Sequence, residues 1–246
     1  MSPVRFFAFA NVASAPECGI TLAAMGPMKP GKDGDNRARA FRSLGIAPET
    51  VLAVNQVHSR VVRVAVSPSP FDSLPDGDGI IARDPSLVPS VTVADCMPIW
   101  LFDPVTGCFG VLHSGWKGTG ILRTAVELAH DEWGAKPSDF RVILGPHIRS
   151  CCYTVDRERA DYFGRAFGPS CVTLDAEREA GGSQWPYRLS LAEANRSLAV
   201  SIGIGPENLV DTGVCTSCEG EYGSNRREGP ERFTHMAAFI RHRSTH

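Results

Sequence analysis

The order of elements predicts an α+β fold, a single domain of mixed β-sheets with packed helices. Three observations carry that expectation. Paired apolar runs joined by Pro/Gly turns point to hairpins. Segments of helical period fall between them without the strict strand–helix alternation of a doubly wound sheet. The 24 glycines and 18 prolines are spread along all 246 residues, with no linker, repeat or low-complexity tract, so residues 1–246 read as one unit.

The elements follow in order. Residues 4–10 form a first apolar strand, and residues 27–35 a loop. Residues 36–44 carry Ala40, Phe41 and Leu44 at helical spacing and stop at Gly45. The valine-rich residues 51–66 suit a bent or paired strand. Asp76-Gly77-Asp78-Gly79 is a turn into a short strand at Ile80 and Ile81, and residues 91–94 form another. Apolar residues 99–102 and 108–112 flank Asp103-Pro104-Val105-Thr106-Gly107, a hairpin signature. Leu122, Val126, Ala129 and Trp133 share a helical face that Gly134 ends. Residues 142–144 form a strand into Gly145-Pro146, and the polar residues 175–184 a surface loop. Ser190 and Glu193 form a capping box ahead of a helix carrying Leu191, Ala194, Leu198 and Ile202, and residues 210–214 form a late strand.

Composition narrows the function classes. Apolar residues make up 43% of the chain, charged residues 21%, and the net charge is -2. A nucleic-acid partner would require a basic face that this balance does not supply. No stretch approaches the roughly 20 apolar residues of a membrane span. The start lacks the basic, apolar and cleavage regions of a secretory signal, which places the protein in the cytoplasm. In that compartment the eight cysteines are buried hydrophobes, metal ligands or nucleophiles rather than disulfides. Cys18, Cys108 and Cys171 read as structural.

Three segments put a reactive side chain at the end of an apolar strand beside a turn: Asn55-Gln56-Val57-His58-Ser59, Thr92-Val93-Ala94-Asp95-Cys96-Met97-Pro98 and Val111-Leu112-His113-Ser114-Gly115-Trp116-Lys117-Gly118. Rigid scaffolds present functional groups to a cleft in this way. Alone, each signal is weak, since a single His after a strand is more often structural. The combination carries the argument.

In this order, Gln-Val-His, Ala-Asp-Cys-x-Pro and His-x-Gly-Trp-Lys-Gly resemble the YfiH-like family, also called the multicopper polyphenol oxidase or laccase-domain family. Asp76-Gly77-Asp78-Gly79, Leu144-Gly145-Pro146, Cys151-Cys152-Tyr153, Cys215-Thr216, Ser224-Asn225-Arg226-Arg227 and Arg232 extend the match. The resemblance implies the YfiH-like fold and zinc ligands at His58, Cys96 and His113, with copper as a substitute. Zinc takes imidazole and thiolate, and a catalytic site keeps three protein ligands and an open position where water becomes acidic near pH 7. Hydroxide aimed at C6 of adenine would deaminate it. The resemblance implies a small-molecule purine nucleoside enzyme: phosphorolysis of adenosine, inosine and methylthioadenosine, and deamination of adenosine. Phosphorolysis needs a cationic phosphate pocket, for which Lys117, Arg226 and Arg227 are the candidates. Asp95, beside Cys96, is the candidate for orienting a ligand or moving a proton.

The chain departs from the family pattern at three places. Lys117 stands where arginine is usual, replacing a planar fork by a point charge. Asn225 stands where an aromatic is usual, and residues 13–35 match poorly, which puts any ligand contact from that region in question.

Four rival readings use the same residues or others. A blue multicopper oxidase needs many His ligands, and the chain has seven in all with no His-x-His pair. A cysteine hydrolase would use Cys96 as nucleophile and His113 as base, with no need for His58. Cys151-Cys152 and Cys215-x-x-Cys218 offer a structural metal or redox site, although vicinal cysteines seldom ligate one ion together and buried thiols are the default. A role in cell-wall precursor editing, or pure binding, is the fourth.

Overall fold

The computed structural model describes residues 3–12, 14–65 and 74–243. Two large sheets form its frame. A five-stranded sheet runs in the order Val4–Phe7, Glu17–Thr21, Met236–Arg241, Val88–Val93 and Val51–Leu52; a six-stranded sheet runs Leu209–Asp211, Arg141–Leu144, Met97–Phe102, Phe109–Ser114, Gly79–Ala82 and Val62–Ala65. Each is mixed. The pair Val51–Leu52 with Val88–Val93 is parallel in the first sheet, as are the two outermost pairs of the second, and the remaining pairs are antiparallel. A small antiparallel sheet of Thr154–Val155, Tyr187–Leu189 and Val172–Leu174 stands apart. The expected α+β class with mixed sheets is what the chain adopts.

Side-chain alternation explains the layering. In the strand Met97–Phe102, Met97, Ile99 and Leu101 join Leu122, Ala125, Val126 and Ala129 of the helix Ile121–Trp133 in one buried cluster, which also takes in the helix Leu191–Ser201. Trp100 and Phe102 face the other way, meeting Ile20, Val91, Val93, Met236, Ala238 and Ile240 of the five-stranded sheet. Both faces of the central strands are thus buried, which accounts for their uninterrupted apolar runs. Trp100 ties the layers by donating its indole N–H to the Phe239 carbonyl at 2.9 Å. The helix Gly34–Ser43 covers the outer face of the five-stranded sheet through Ala40 and Phe41.

Most expected elements occur within a few residues of their predicted bounds. Gly134 ends its helix in the left-handed conformation, its N–H donating to the His130 carbonyl while the Ala135 N–H donates to that of Ala129. Ser190 caps its helix by accepting from Glu193 N–H, but only half of the box forms. The Ser190 N–H donates instead to the Cys171 carbonyl, and the Glu193 carboxylate faces Arg196 at 3.7 Å. The valine-rich stretch splits into Val51–Leu52 and Val62–Ala65, which lie in different sheets; its end at residue 66 is outside the described residues. The polar segment 175–184 is not all loop, because Asp175 caps a short helix, Ala176–Ala180.

Gly110 faces a close backbone approach: a Cβ there would overlap the Ile80 carbonyl oxygen and meet Ile81 Cγ2 at 2.8 Å. Gly110→Ala is expected to destabilise the fold by about 1–3 kcal/mol, the range for overpacking. Denaturant unfolding with an unchanged slope would show it, and wild-type stability would remove this strand contact from the frame.

Candidate active site and family relationships

Two passages between the sheets, at one end of them, carry the reactive groups. The chain leaves the five-stranded sheet at Leu52, passes His58 and enters the six-stranded sheet at Val62; it does so again between Val93 and Met97, through Asp95 and Cys96. His113 lies near the end of the strand Phe109–Ser114. One nitrogen each from His58 and His113 and the Cys96 sulfur all lie within 4.8 Å of one another. The two rings stand edge to face, with centroids 5.1 Å apart. Tight crossings force unusual backbone: His58 and Asp95 have φ of 59° and 75°. Gly115 leaves room for the cluster, since a Cβ there would sit 2.8 Å from Cys96 Sγ.

Asp78 organises these groups from behind. It is fully buried. One carboxylate oxygen meets His113 Nδ1 at 2.9 Å and accepts from the His58 backbone N–H at 3.1 Å. The other accepts from the Ser59 N–H at 2.6 Å and its hydroxyl at 2.8 Å. Burial opposes ionisation of Asp78, but the bonds from His113 and Ser59 outweigh it and hold the carboxyl below its usual range. With Nδ1 engaged by a carboxylate, Nε2 of His113 is the nitrogen left for a metal, the usual carboxylate–histidine–metal relation. Burial likewise opposes ionisation of Cys96, yet His113 beside it and hydrogen bonds from both imidazoles bring the thiol down to about 6. Cys96 is thereby held as thiolate, the form that ligates metal or attacks carbon.

The cluster sits in a cavity of about 430 Å³. Trp116, Tyr153, Ile148, Leu191 and Phe233 give it apolar walls, and Lys29, Gln56, Asn225, Arg226 and His235 supply polar groups. Of the expected cationic residues only Arg226 lines it. One of its Nη atoms donates to the Cys152 carbonyl at 2.6 Å and to Thr154 Oγ1 at 3.2 Å, and its guanidinium stands 5.9 Å from the Tyr153 ring centre. Lys117 is exposed outside the cavity, its ammonium 5.3 Å from the Trp116 ring centre. Arg227 points away and binds the carbonyls of Thr216, Ser217, Glu219 and Tyr222 and the carboxylate of Glu228. Asp95 lines the cavity, but both its carboxylate oxygens are engaged, one by the Thr216 hydroxyl and one by the Arg226 backbone N–H, each at 2.7 Å. Its structural work is to position the segments bearing those two residues.

Asp78, Lys29, Phe233 and His235 were not among the sequence candidates. The Asp-Gly-Asp-Gly turn carried a signal for Asp78; nothing in the sequence marks Lys29, which enters from the poorly matching region 13–35.

Comparison with known proteins places the chain in context. Residues 30–243 match the family described as multi-copper polyphenol oxidoreductase laccase. The chain belongs to this family. The resemblance drawn from the three motifs is therefore borne out. Among similar proteins, the chain is 34% identical over 165 residues to the purine nucleoside phosphorylase YlmD of Bacillus subtilis, a match covering 66% of this chain and 58% of that protein. It is 33% identical to a purine nucleoside phosphorylase of Deinococcus radiodurans, covering 89% and 80%. It is 30% identical to the adenosine deaminase RL5 of an unknown prokaryotic organism, covering 75% and 72%. The chain spans little more than half of the first of these relatives, and 44% of the mouse protein LACC1. The crystal structure of Bacillus licheniformis YfiH aligns with a TM-score of 0.80 at 26% identity, covering 96% of this chain and 99% of that one.

Asp78→Asn keeps the shape of the carboxylate but not its charge. It is expected to weaken metal binding 10–100-fold, as loss of such outer partners does. A competitive zinc titration reads the affinity, and an unchanged value would detach Asp78 from the site.

Proposed function

We propose that the chain is a metal-dependent purine nucleoside enzyme, with zinc held by His58, Cys96 and His113. In this reading it cleaves adenosine, inosine and methylthioadenosine with phosphate, and deaminates adenosine. The observation that carries it is the convergence of two imidazoles and a thiolate at the wall of a cavity large enough for a small ligand. Two nitrogens and one sulfur, with a buried carboxylate behind one imidazole, fit zinc and leave a position open. Copper also suits such a set by affinity. The names of the relatives support the substrate class. A bound zinc would supply Lewis acidity and bring the pKa of a coordinated water toward 7.

The chain's own residues do the rest. Trp116, Tyr153 and Phe233 offer apolar faces to a flat base. Arg226 and Lys29 are the cations available to phosphate, and Arg226 is fixed at the wall by its bonds to Cys152 and Thr154. Lys117, set outside the cavity, and Arg227, spent on carbonyls, leave this role to them. Trp116, Tyr153 and Leu191 also exclude water from part of the cavity, which strengthens every polar contact within it. No helix among the described residues is long and apolar enough to cross a membrane, and the reading includes a cytoplasmic setting with small-molecule partners.

The cysteine-hydrolase reading shares Cys96 and His113 but not His58, so His58 decides between them. His58→Ala is expected to lose the zinc of this site, one ion per chain by elemental analysis, together with nucleoside turnover, by product analysis on adenosine. Turnover that survives without metal would favour the dyad. Arg226→Ala is expected to raise the KM for phosphate at least tenfold, with partial rescue in Arg226→Lys, while Lys117→Ala leaves it within about twofold. Equal effects of the Arg226 and Lys117 substitutions would refute this assignment of the phosphate pocket.

A further inference from the structure

A second group of metal-ligating side chains stands outside the active site. The turn at Cys151 and Cys152 and the turn at Cys215 and Cys218 come from segments more than sixty residues apart in sequence. A parallel bridge between His147 and Cys215 aligns them, with the His147 N–H on the Val214 carbonyl and the Thr216 N–H on the His147 carbonyl. The four sulfurs all lie within 4.8 Å of one another. Cys218 Sγ stands 3.7 Å from that of Cys151 and 3.4 Å from that of Cys152.

Those spacings have a meaning. Four thiolates about 2.3 Å from one tetrahedral ion are separated by about 3.8 Å. A disulfide needs about 2.05 Å and joins two sulfurs only. Here Cys218 approaches both neighbours, which one covalent partner would not require. The clusters of iron and sulfide would hold their cysteines much farther apart than one ion does. The Cys215 sulfur also accepts the backbone N–H of Arg149 at 3.5 Å, while the Cys218 N–H donates to the Cys215 carbonyl. Such an N–H donor to sulfur favours thiolate at the first cysteine of a Cys-x-x-Cys turn. The buried-thiol default fails on exposure, since Cys151 and Cys218 are exposed and Cys152 is only half-buried.

We propose that Cys151, Cys152, Cys215 and Cys218 bind one thiophilic divalent ion, zinc by preference, as a tetrathiolate site separate from the active-site cluster. Its role is structural, because four protein ligands leave no open position for substrate. The site clamps the two turns that brace the cavity. The Cys152 carbonyl holds Arg226, and Thr216, next to Cys215, holds Asp95.

The test uses the full chain purified under reducing conditions, as wild type, Cys96→Ser and Cys218→Ser. Elemental analysis is expected to give two zinc ions per wild-type chain and one in each variant. Cobalt substitution assigns them: the ion kept by Cys96→Ser should show a thiolate-to-cobalt absorption about four times that of the ion kept by Cys218→Ser, following four thiolates against one. A Cys96→Ser protein without metal, or with a chain mass two hydrogens light and a bridge among these cysteines, would overturn the proposal. Should Cys218→Ser not fold, the Cys96→Ser protein decides alone. A wild type holding one ion, strongly absorbing and unaffected by Cys96→Ser, would support this site while sinking the active-site reading.

Discussion

The carboxylate of Asp78 is the constraint on which the active site hangs. It is buried, ionised and shared among a strand-borne imidazole, two backbone amides and a hydroxyl. A buried charge of this kind persists only when its lone pairs are met by donors. The donors it gathers belong to the loop of His58 and to the strand of His113, so the need to satisfy one anion brings the two imidazole-bearing segments together. Cys96 is then placed by geometry rather than by a bond to Asp78: its crossing lies beside Gly115, where the missing Cβ lets the sulfur approach.

The frame makes this economical. The passages after Leu52 and after Val93 lie at the same end of the two sheets and deliver His58, Asp95 and Cys96 to one place, while the passage from Ala82 to Val88 lies at the other end. The helices that cover the far face of the six-stranded sheet contribute Leu191 to the cavity but none of the three clustered side chains His58, Cys96 and His113. Chemistry therefore sits at the end of a row of side chains that also packs the core between the sheets. In Phe109–Ser114, Leu112 packs with the helices and Val111 with the opposing sheet, while His113 finishes the inner row at the cavity.

Much of this was legible in the sequence where local chemistry dictated structure. The strands around Asp103 to Gly107 were marked by apolar runs and a turn, the helix ending at Gly134 by its period and stop, and the clustering of His58, Cys96 and His113 by motifs at strand ends. What was hidden depends on distant partners. Glu17–Thr21 pairs with Met236–Arg241 across most of the chain, and neither carries strong turn signals. Lys29 and Phe233 reach the cavity through that same long-range pairing. Arg226 and Arg227 are adjacent and alike in sequence, yet one faces the cavity and the other is consumed by carbonyls, because a short helix starting at Asn225 sends them in different directions. The meeting of Cys151, Cys152, Cys215 and Cys218 was offered by the sequence only as a rival to buried thiols, as it follows from one isolated bridge between remote segments.

The left-handed backbone at His58 and Asp95 has an evolutionary side. Such conformations cost a non-glycine residue about 1 kcal/mol or more, although His and Asp tolerate them better than most. Glycine would relax both turns, and a search for thermostability alone would favour it there. The chain instead keeps an imidazole and a carboxylate at these positions. The two crossings are thus places where selection for durability and selection for chemistry pull in opposite directions, and where a sequence drifting away from its activity would be expected to change first.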